Sequence, residues 1–476
     1  MSTRKLILLC LFGLSTFLNF QPAATAIDET AFATSDIIER DVCVIGGGAS
    51  GTYAAVRLRQ NGKSVALIEK EGRLGGHVNT YIDPVTKVSF DYGVVYWPNI
   101  SVVVDFARSL NVPLAILHAN QTLAFGNFAN GSLVPASKLP SFTAQAKALL
   151  TYRKILTGYP WLNNGFDLPD PIPAELLLPF GEFIQKHNIT AISTVTVLVA
   201  QGAANLLAQP ALYIMKYFPT TTIDGYIHDN FVSTANQNNQ GLYDAGLAYI
   251  GNRTNVFLGS KITQIERDDC GVKVVVSTPD GVKLVKASQL LLTIPPKLET
   301  LESIGMDIDE QEKYLFGQFN NTYVWDMIIS NAGIPTSKGM IVNVNPGAPD
   351  ELASLPGLAF IRPAPVPNLY FGYYGSPNYL SDDQLKADIL AEVARINTVN
   401  GFPTNGTPKF VTINNHSPYF LTVPVEAIKN GFYRDVNAMQ GQRKTWWAGA
   451  AFQTHDTSLI WNWTEHTLLP KILATL

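Results

Sequence analysis

Apolar residues along this chain fall into two patterns, and the alternation between them is the first guide to its fold. Short unbroken runs, among them Asp41-Val-Cys-Val-Ile45, Ser64-Val-Ala-Leu-Ile68 and Gln289-Leu-Leu-Leu-Thr293, predict strands buried on both faces. Asn255-Val-Phe-Leu, Lys261–Ile265, Gly271–Ser277 and Val282–Val285 predict more strands, forming a β-meander with a turn at Pro279-Asp-Gly281. Helical periodicity occupies Thr52–Gln60, which Gly62-Lys63 ends, then Ala174–His187, Ala191–Ala208, Pro210–Phe218 and Ser381–Asn397. Val324–Ser330 and Leu369–Tyr374 read as strands. A strand from Thr445 ending in Ala448-Gly449 and a helix from near Ser458 close the chain. No internal repeat or low-complexity linker interrupts this order.

Composition narrows the class. With 476 residues, 46% hydrophobic and 15% charged, the chain can bury large cores, and its length predicts two to four domains. The net charge of −4 becomes −6 without the first 26 residues, which hold Arg4 and Lys5 but no acid, and no basic tract appears. Nucleic acid is therefore not an expected partner. Leu6–Phe20 is too short to span a bilayer, follows Arg4-Lys5 and precedes Pro22 and Ala24-Thr-Ala26, so residues 1–26 read as a signal peptide cleaved before Ile27. No membrane span is expected. Sequons at Asn99, Asn120, Asn130, Asn188, Asn252, Asn320, Asn405 and Asn415 predict a secreted or lumenal glycoprotein; a further one at Asn462 falls where burial is expected. Cys43 in a strand and Cys270 in a polar turn are expected to be free thiols, with no metal.

The chemistry begins where the first strand ends. Gly46-Gly-Gly48-Ala-Ser50-Gly51 follows it and opens a helix, the context a dinucleotide turn requires. Gly46 permits the tight turn, Gly48 lets the backbone reach a pyrophosphate, Gly51 allows close helix–strand packing, and the helix N-terminus faces the anion. The second strand ends at Glu69, where a carboxylate can accept both ribose hydroxyls of an adenosine. Strand, glycines, helix, strand and acid together predict an ADP-binding βαβ unit.

Glu69-Lys70-Glu-Gly-Arg73-Leu-Gly75-Gly76-His77 contains an Arg-x-Gly-Gly element that resembles the second diphosphate clamp of flavoproteins of the glutathione reductase and amine oxidase type. Phe90-Asp-Tyr-Gly93 with Tyr96-Trp97 resembles the segment that runs beneath the isoalloxazine ring there. Over nearly the whole mature chain the sequence resembles the amine oxidase superfamily. Leu178–Phe183, Ala211–Tyr217 and Gly431–Gly441 resemble the branch that contains fungal β-cyclopiazonate dehydrogenase and bacterial polyunsaturated fatty acid isomerase. The resemblance implies FAD, held by Gly46, Gly48, Ser50, Gly51, Glu69, Lys70, Arg73, Gly75, Gly76, His77, Gly449 and Ala450, with adenine near Ile262. A histidyl link to the flavin through His77 or His455 stays open. It also implies hydride removal from a C–H or C–N centre of an apolar small molecule, or double-bond isomerisation without net redox; a non-catalytic flavin-binding scaffold is a third alternative.

The implied fold class is α/β: a discontinuous Rossmann-like FAD-binding domain with a β-meander, at 38–110, 245–300 and 425–476, and a mixed α+β substrate domain from insertions at 111–244, mainly helical, and 301–424. Tyr96, Trp97 and Tyr373 are candidates for the substrate side, and Tyr323, Trp325 and Tyr374 for the lining of an apolar cavity. Catalytic candidates are limited to Tyr96 and His455. Gly317–Tyr323 offers no counterpart of the flavin-side lysine found in many amine oxidases, Lys297 reads as a solvated loop residue, and no base stands out beside the ring.

Overall fold

The computed structural model describes residues 26–118, 122–403 and 406–476. The run Leu6–Phe20 and the sequons at Asn120 and Asn405 lie outside the described residues. In chain order the elements used below are β1 (Ile37–Ile45), α1 (Ala49–Gln60), β2 (Val65–Ile68), α2 (Ala211–Tyr217), β3 (Val256–Phe257), β4 (Lys261–Arg267), β5 (Val272–Thr278), β6 (Gly281–Leu292), β7 (Asn320–Ser330), β8 (Leu369–Ser376), α3 (Asp382–Asn400), β9 (Lys409–Asn415), β10 (Thr445–Trp447) and α4 (Thr457–Trp463).

A seven-stranded sheet has the order β4-β5-β6-β1-β2-β3, with β10 paired to β6. Its middle is parallel: β1 pairs β6 over Ile37–Ile45 and β2 over Val42–Ile45. Val42, Cys43 and Val44 are fully buried there, each apolar side chain of that size contributing about 1.5–3 kcal/mol. Two expected strands, Val282–Val285 and Gln289–Thr293, are one. Lys286 between them pairs with Lys273 of β5 and reaches Glu29 at 2.9 Å, so its charge is carried at the sheet's face without breaking the ladder. α1 starts earlier than Thr52, because extended Gly48 already serves as its N-cap. The strands from three separate stretches end together: Thr293 N donates to the Ile45 carbonyl and Ala448 N to that of Leu292, both at 2.9 Å. That convergence of parallel C-terminal ends is where open α/β sheets take ligands.

The second sheet is eight-stranded, with β7 between β8 and β9 and the far side continuing through Gly357–Pro363, Met340–Asn343 and Leu123–Asn127. α3, closed at its start by a Ser381/Gln384 capping box, lays Leu385, Ile389, Val393 and Ile396 on this sheet. Trp325 and Tyr374, expected to line a cavity, are instead buried in that core: both stand on the sheet face that α3 covers. The helical stretches before α2 are shorter than their periodicity. Ala174–His187 breaks at Pro179, which has no N–H to give, into a 3-10 turn and the helix Phe180–Lys186. Ala191–Ala208 keeps only Ser193–Val199 as α-helix; Gly202 follows, where a Cβ would sit 2.1 Å from the Tyr419 ring. Lys297 is not a solvated lysine. Its ammonium is largely covered and donates to the Phe319 carbonyl at 2.8 Å. Cys43 is buried and Cys270 exposed, both as free thiols. Among the described residues no helix is long and apolar enough to cross a membrane.

Candidate active site

The turn after β1 is built so that only glycine fits. Gly46 has φ +98°, and a Cβ on Gly51 would lie 1.9 Å from the Gly46 carbonyl oxygen and 2.8 Å from Thr293 Oγ1. Thr293 fixes that oxygen by donating to the carbonyls of both Ile45 and Gly46 at 2.9 Å. Across the opening, a Cβ on Gly76 would come 3.0 Å from Gly48 Cα, so the two glycine turns face each other with no side chain between them. Ser50 Oγ is buried at the start of α1 with no hydrogen-bond partner among the described residues. The Glu69 carboxylate accepts from Gly47 N at 2.6 Å and from Glu71 N at 2.8 Å. A cavity of about 260 Å³ opens alongside, lined by Gly72, Arg253, Phe257, Gly259 and Ser260 and next to the chain leading to Ile262. Side-chain-free turns, an orphaned hydroxyl and an acid at the second strand's end fit a dinucleotide. Lys70 projects outward, its side chain 84% exposed.

Arg73 does something other than face an anion directly. Its guanidinium donates to the carbonyls of Val78 (2.8 Å) and Gly76 (3.1 Å), to Gln240 Oε1 (2.8 Å) and to Asn79 Oδ1 (2.6 Å), clamping the Gly75-Gly76-His77 turn in place. Asn79 passes the connection on: its amide donates to Asp326 Oδ2 at 2.8 Å and stands 3.0 Å from His416 Nε2. Asp326, fully buried on β7, also accepts from Asn414 Nδ2 of β9 at 2.7 Å. Asn79, Asp326, Asn414 and His416 were not foreseen. One signal was available: Asp326 is the lone charge in the apolar run Val324–Ile329, and a buried carboxylate must have partners.

Beside the clamp stands a cluster of rings. His77 is solvent-accessible yet crowded by protein, and stacks on His416 at 4.3 Å. Burial, and then the neighbouring His416 and His455, hold the His77 imidazole neutral well below the ordinary histidine range. His455 lies 3.9 Å from the Tyr419 ring, its Nε2 accepts from Phe420 N, and burial pushes it down to about 3. Hydroxyls pair across the cluster, Tyr217 with Tyr419 at 2.5 Å and Tyr96 with Tyr226 at 2.8 Å, and burial raises Tyr96 well above the phenol range. Tyr373 donates to the Gly93 carbonyl, so it supports the segment that carries Tyr96. Trp97, expected on the substrate side, lies in the core instead. It is 1% exposed, packs on Trp461 and belongs to the main core, because the chain there alternates sides and Tyr96 takes the open one.

That segment has a second, unforeseen anchor. Asn239, fully buried, donates to the carbonyls of Val94 (2.9 Å) and Val95 (3.1 Å), and its own N–H donates to Asp91 Oδ1 at 2.9 Å. Asp91 Oδ2 is buried without a partner among the described residues, and burial raises the carboxyl to about 6. A carboxyl raised on folding is stabilising only while protonated. Its contribution is complete below the unfolded value near 3.8 and is lost as pH rises through about 6, a difference on the order of 3 kcal/mol. Asp91→Asn keeps an acceptor for Asn239 and cannot ionise. It is expected to melt above wild type at pH 7.5 and to lose part of the wild-type decline between pH 4 and 6; equal melting curves across that range would show that Asp91 does not titrate there.

Comparison with known proteins agrees with this geometry. The NAD(P)-binding Rossmann-like domain family matches residues 44–110. The chain is 36% identical to the FAD-dependent oxidoreductase oblC of Cochliobolus heterostrophus over 94% of each chain, and 28% identical to the β-cyclopiazonate dehydrogenase of Aspergillus oryzae over 96% of this chain and 98% of that one. Its fold is that of a CLA-producing fatty acid isomerase from P. acnes (TM-score 0.74, 20% identity, covering 91% of this chain and 98% of that one) and of a putrescine oxidase (TM-score 0.66, 15% identity, covering 92% and 100%). With full-length relatives above 30% identity, a glycine cradle and a Rossmann-like sheet, the chain belongs to the FAD-dependent oxidoreductases.

Proposed function

We propose that this enzyme takes hydride from a C–H or C–N centre of an apolar small molecule, leaving a desaturated or oxidatively cyclised product of secondary metabolism. The observation that carries the reading is the ring cluster beside the clamp: His77 stacked on His416, His455 against the Tyr419 ring, and tyrosine hydroxyls paired with one another. Such walls suit a ligand that is largely apolar and orient it by stacking and a few hydrogen bonds. FAD, when bound, supplies the hydride acceptor. Gly46, Gly48, Ser50, Gly51 and Glu69 would hold its ADP portion, with Gly76 and Gly449 covering the diphosphate. Tyr96 and His455 would face the substrate, and the neutral His455, whose Nε2 lone pair is taken by Phe420 N, would offer Nδ1–H as a donor. The name of the Aspergillus dehydrogenase supports oxidation as the outcome.

The test starts from the visible spectrum of the purified protein, taken before and after denaturation. Flavin bands that move to the supernatant are expected; bands that stay with the pellet would indicate a His77 or His455 link. Anaerobic titration with apolar metabolites should then bleach the bands with net formation of oxidised product. Turnover without oxygen use or oxidised product would instead make the enzyme an isomerase, and a colourless protein that takes up no FAD would remove the reading altogether.

We also propose passage through the secretory pathway, with cleavage before Ile27 and glycans on Asn99, Asn130, Asn188, Asn252, Asn320 and Asn415, all exposed, while Asn462 is half-buried on α4. Expression in a eukaryotic host followed by N-terminal sequencing and glycosidase treatment checks both; an intact Met1 with no mass change would sink the proposal.

A further inference from the structure

Lys216 lies on α2 with 1% of its surface exposed, among Leu212, Ile214 and Met215. Its Nζ is 2.7 Å from the Leu162 carbonyl oxygen, 2.5 Å from that of Gly165 and 2.6 Å from Gln453 Oε1, and it stands 4.4 Å over the Phe166 ring. Three acceptor oxygens at such distances call for three N–H donors, which only the ammonium form has. Burial pushes the group the other way, whereas the three oxygens within 2.7 Å of Nζ favour the protonated form, which alone can donate to all of them. None of the three is a carboxylate. A buried cation bonded only to neutral oxygens is costly unless negative charge arrives from elsewhere.

Gln453 shows where that charge would come from. It is fully buried, its side chain donates to the Asn163 carbonyl at 2.6 Å, and its N–H donates to the Gly449 carbonyl at 3.2 Å. Gly449 stands against the Thr293 carbonyl, where a Cβ would come within 3.1 Å, and Thr293 in turn holds Gly46. The Lys216–Gln453 pair therefore fastens the loop that leaves β10 at the mouth of the cofactor cradle.

We propose that Lys216 is a positioning residue for the cofactor: through Gln453 it fixes the loop from Gly449 to Asp456, and its charge favours the two-electron-reduced state. The balance is simple. Hydride brings two electrons and one proton, so the cofactor gains one negative charge, and a cation bonded to the loop four residues beyond Gly449, in a medium of low polarity, stabilises it. The inference rests on FAD occupying the cradle at the ends of β1, β6 and β10.

The experiment is a redox titration of the flavin-loaded protein against a reference dye, with Lys216→Met and Gln453→Glu as variants. Each is expected to lower the equilibrium constant for two-electron reduction at least about tenfold, roughly 30 mV. Gln453→Glu keeps a partner for Lys216 and places a neutralising carboxylate beside it, while losing the hydrogen bond that the Gln453 amide donates to the Asn163 carbonyl, so it serves where Lys216→Met does not fold. A Lys216→Met protein with reduced flavin content and an unchanged potential would make the lysine structural only and overturn the proposal, as would an unchanged potential in Gln453→Glu. Wild-type protein without flavin would instead fail the cradle reading, and its spectrum shows that before any titration.

Discussion

Gly51→Ala is expected to purify without flavin and to unfold at a lower temperature than wild type. The added Cβ would sit 1.9 Å from the Gly46 carbonyl oxygen and 3.0 Å from its carbon, so backbone must move. Neither side can yield cheaply. The Gly46 oxygen is held by Thr293 Oγ1, and Gly46 itself is at φ +98° with its own Cβ position closed by Thr293 and Ile294. Separating α1 from the turn moves Ser50 and the helix N-terminus away from the diphosphate slot, and an affinity loss of at least about 100-fold, roughly 2.7 kcal/mol, is expected. Gly62→Ala is the control: φ is +76° but nothing lies within 4 Å, so only backbone strain of about 1–2 kcal/mol is added, with flavin content unchanged. Flavin absorbance per protein and FAD titration of the stripped proteins read the difference. A Gly51→Ala protein carrying wild-type flavin would mean that the turn does not shape the site.

What was legible in the sequence follows from how local each constraint is. The glycine turn announces itself because each glycine answers a backbone requirement met within a few residues, and Glu69 follows from the length of one helix and one strand. The fold class followed because buried parallel strands read as unbroken apolar runs. Facing and partnership were not legible. Nothing in Tyr96-Trp97 says which ring enters the core, and nothing in Val324-Trp325-Asp326 says that Trp325 lies under α3 while Asp326 meets a residue 247 positions away. Lys216 is the extreme case. Its helix reads as uniformly buried, and the partner that gives its charge a purpose is 237 positions off. Resemblance supplied the cofactor and the reaction class, whereas the polar wiring between the two sheets is visible only in three dimensions.

That wiring makes Asp326→Ala the most disruptive substitution expected outside the glycine turn. The carboxylate is fully buried and accepts from Asn79 and Asn414, with His416 at 3.3 Å. Removing it leaves buried donors without acceptors and empties the volume between β7, β9 and the clamp. Each buried donor left without its acceptor costs about 1–3 kcal/mol, and the cavity left in the packed volume adds to that loss. The effect should not stay with stability. Asn79 is also an acceptor for Arg73, which holds the Gly75-Gly76-His77 turn against Gly48. An Asn79 side chain freed to turn would loosen Arg73, so FAD affinity should fall together with the melting temperature. Asn79→Ala should show the same two losses, and the double variant should be far less than additive, since both act on one network. Thermal unfolding and FAD titration of the three proteins decide it: a lower melting temperature with wild-type FAD affinity in Asp326→Ala would show that the network joins the sheets without shaping the clamp, while additive losses would show that Asn79 and Asp326 act separately.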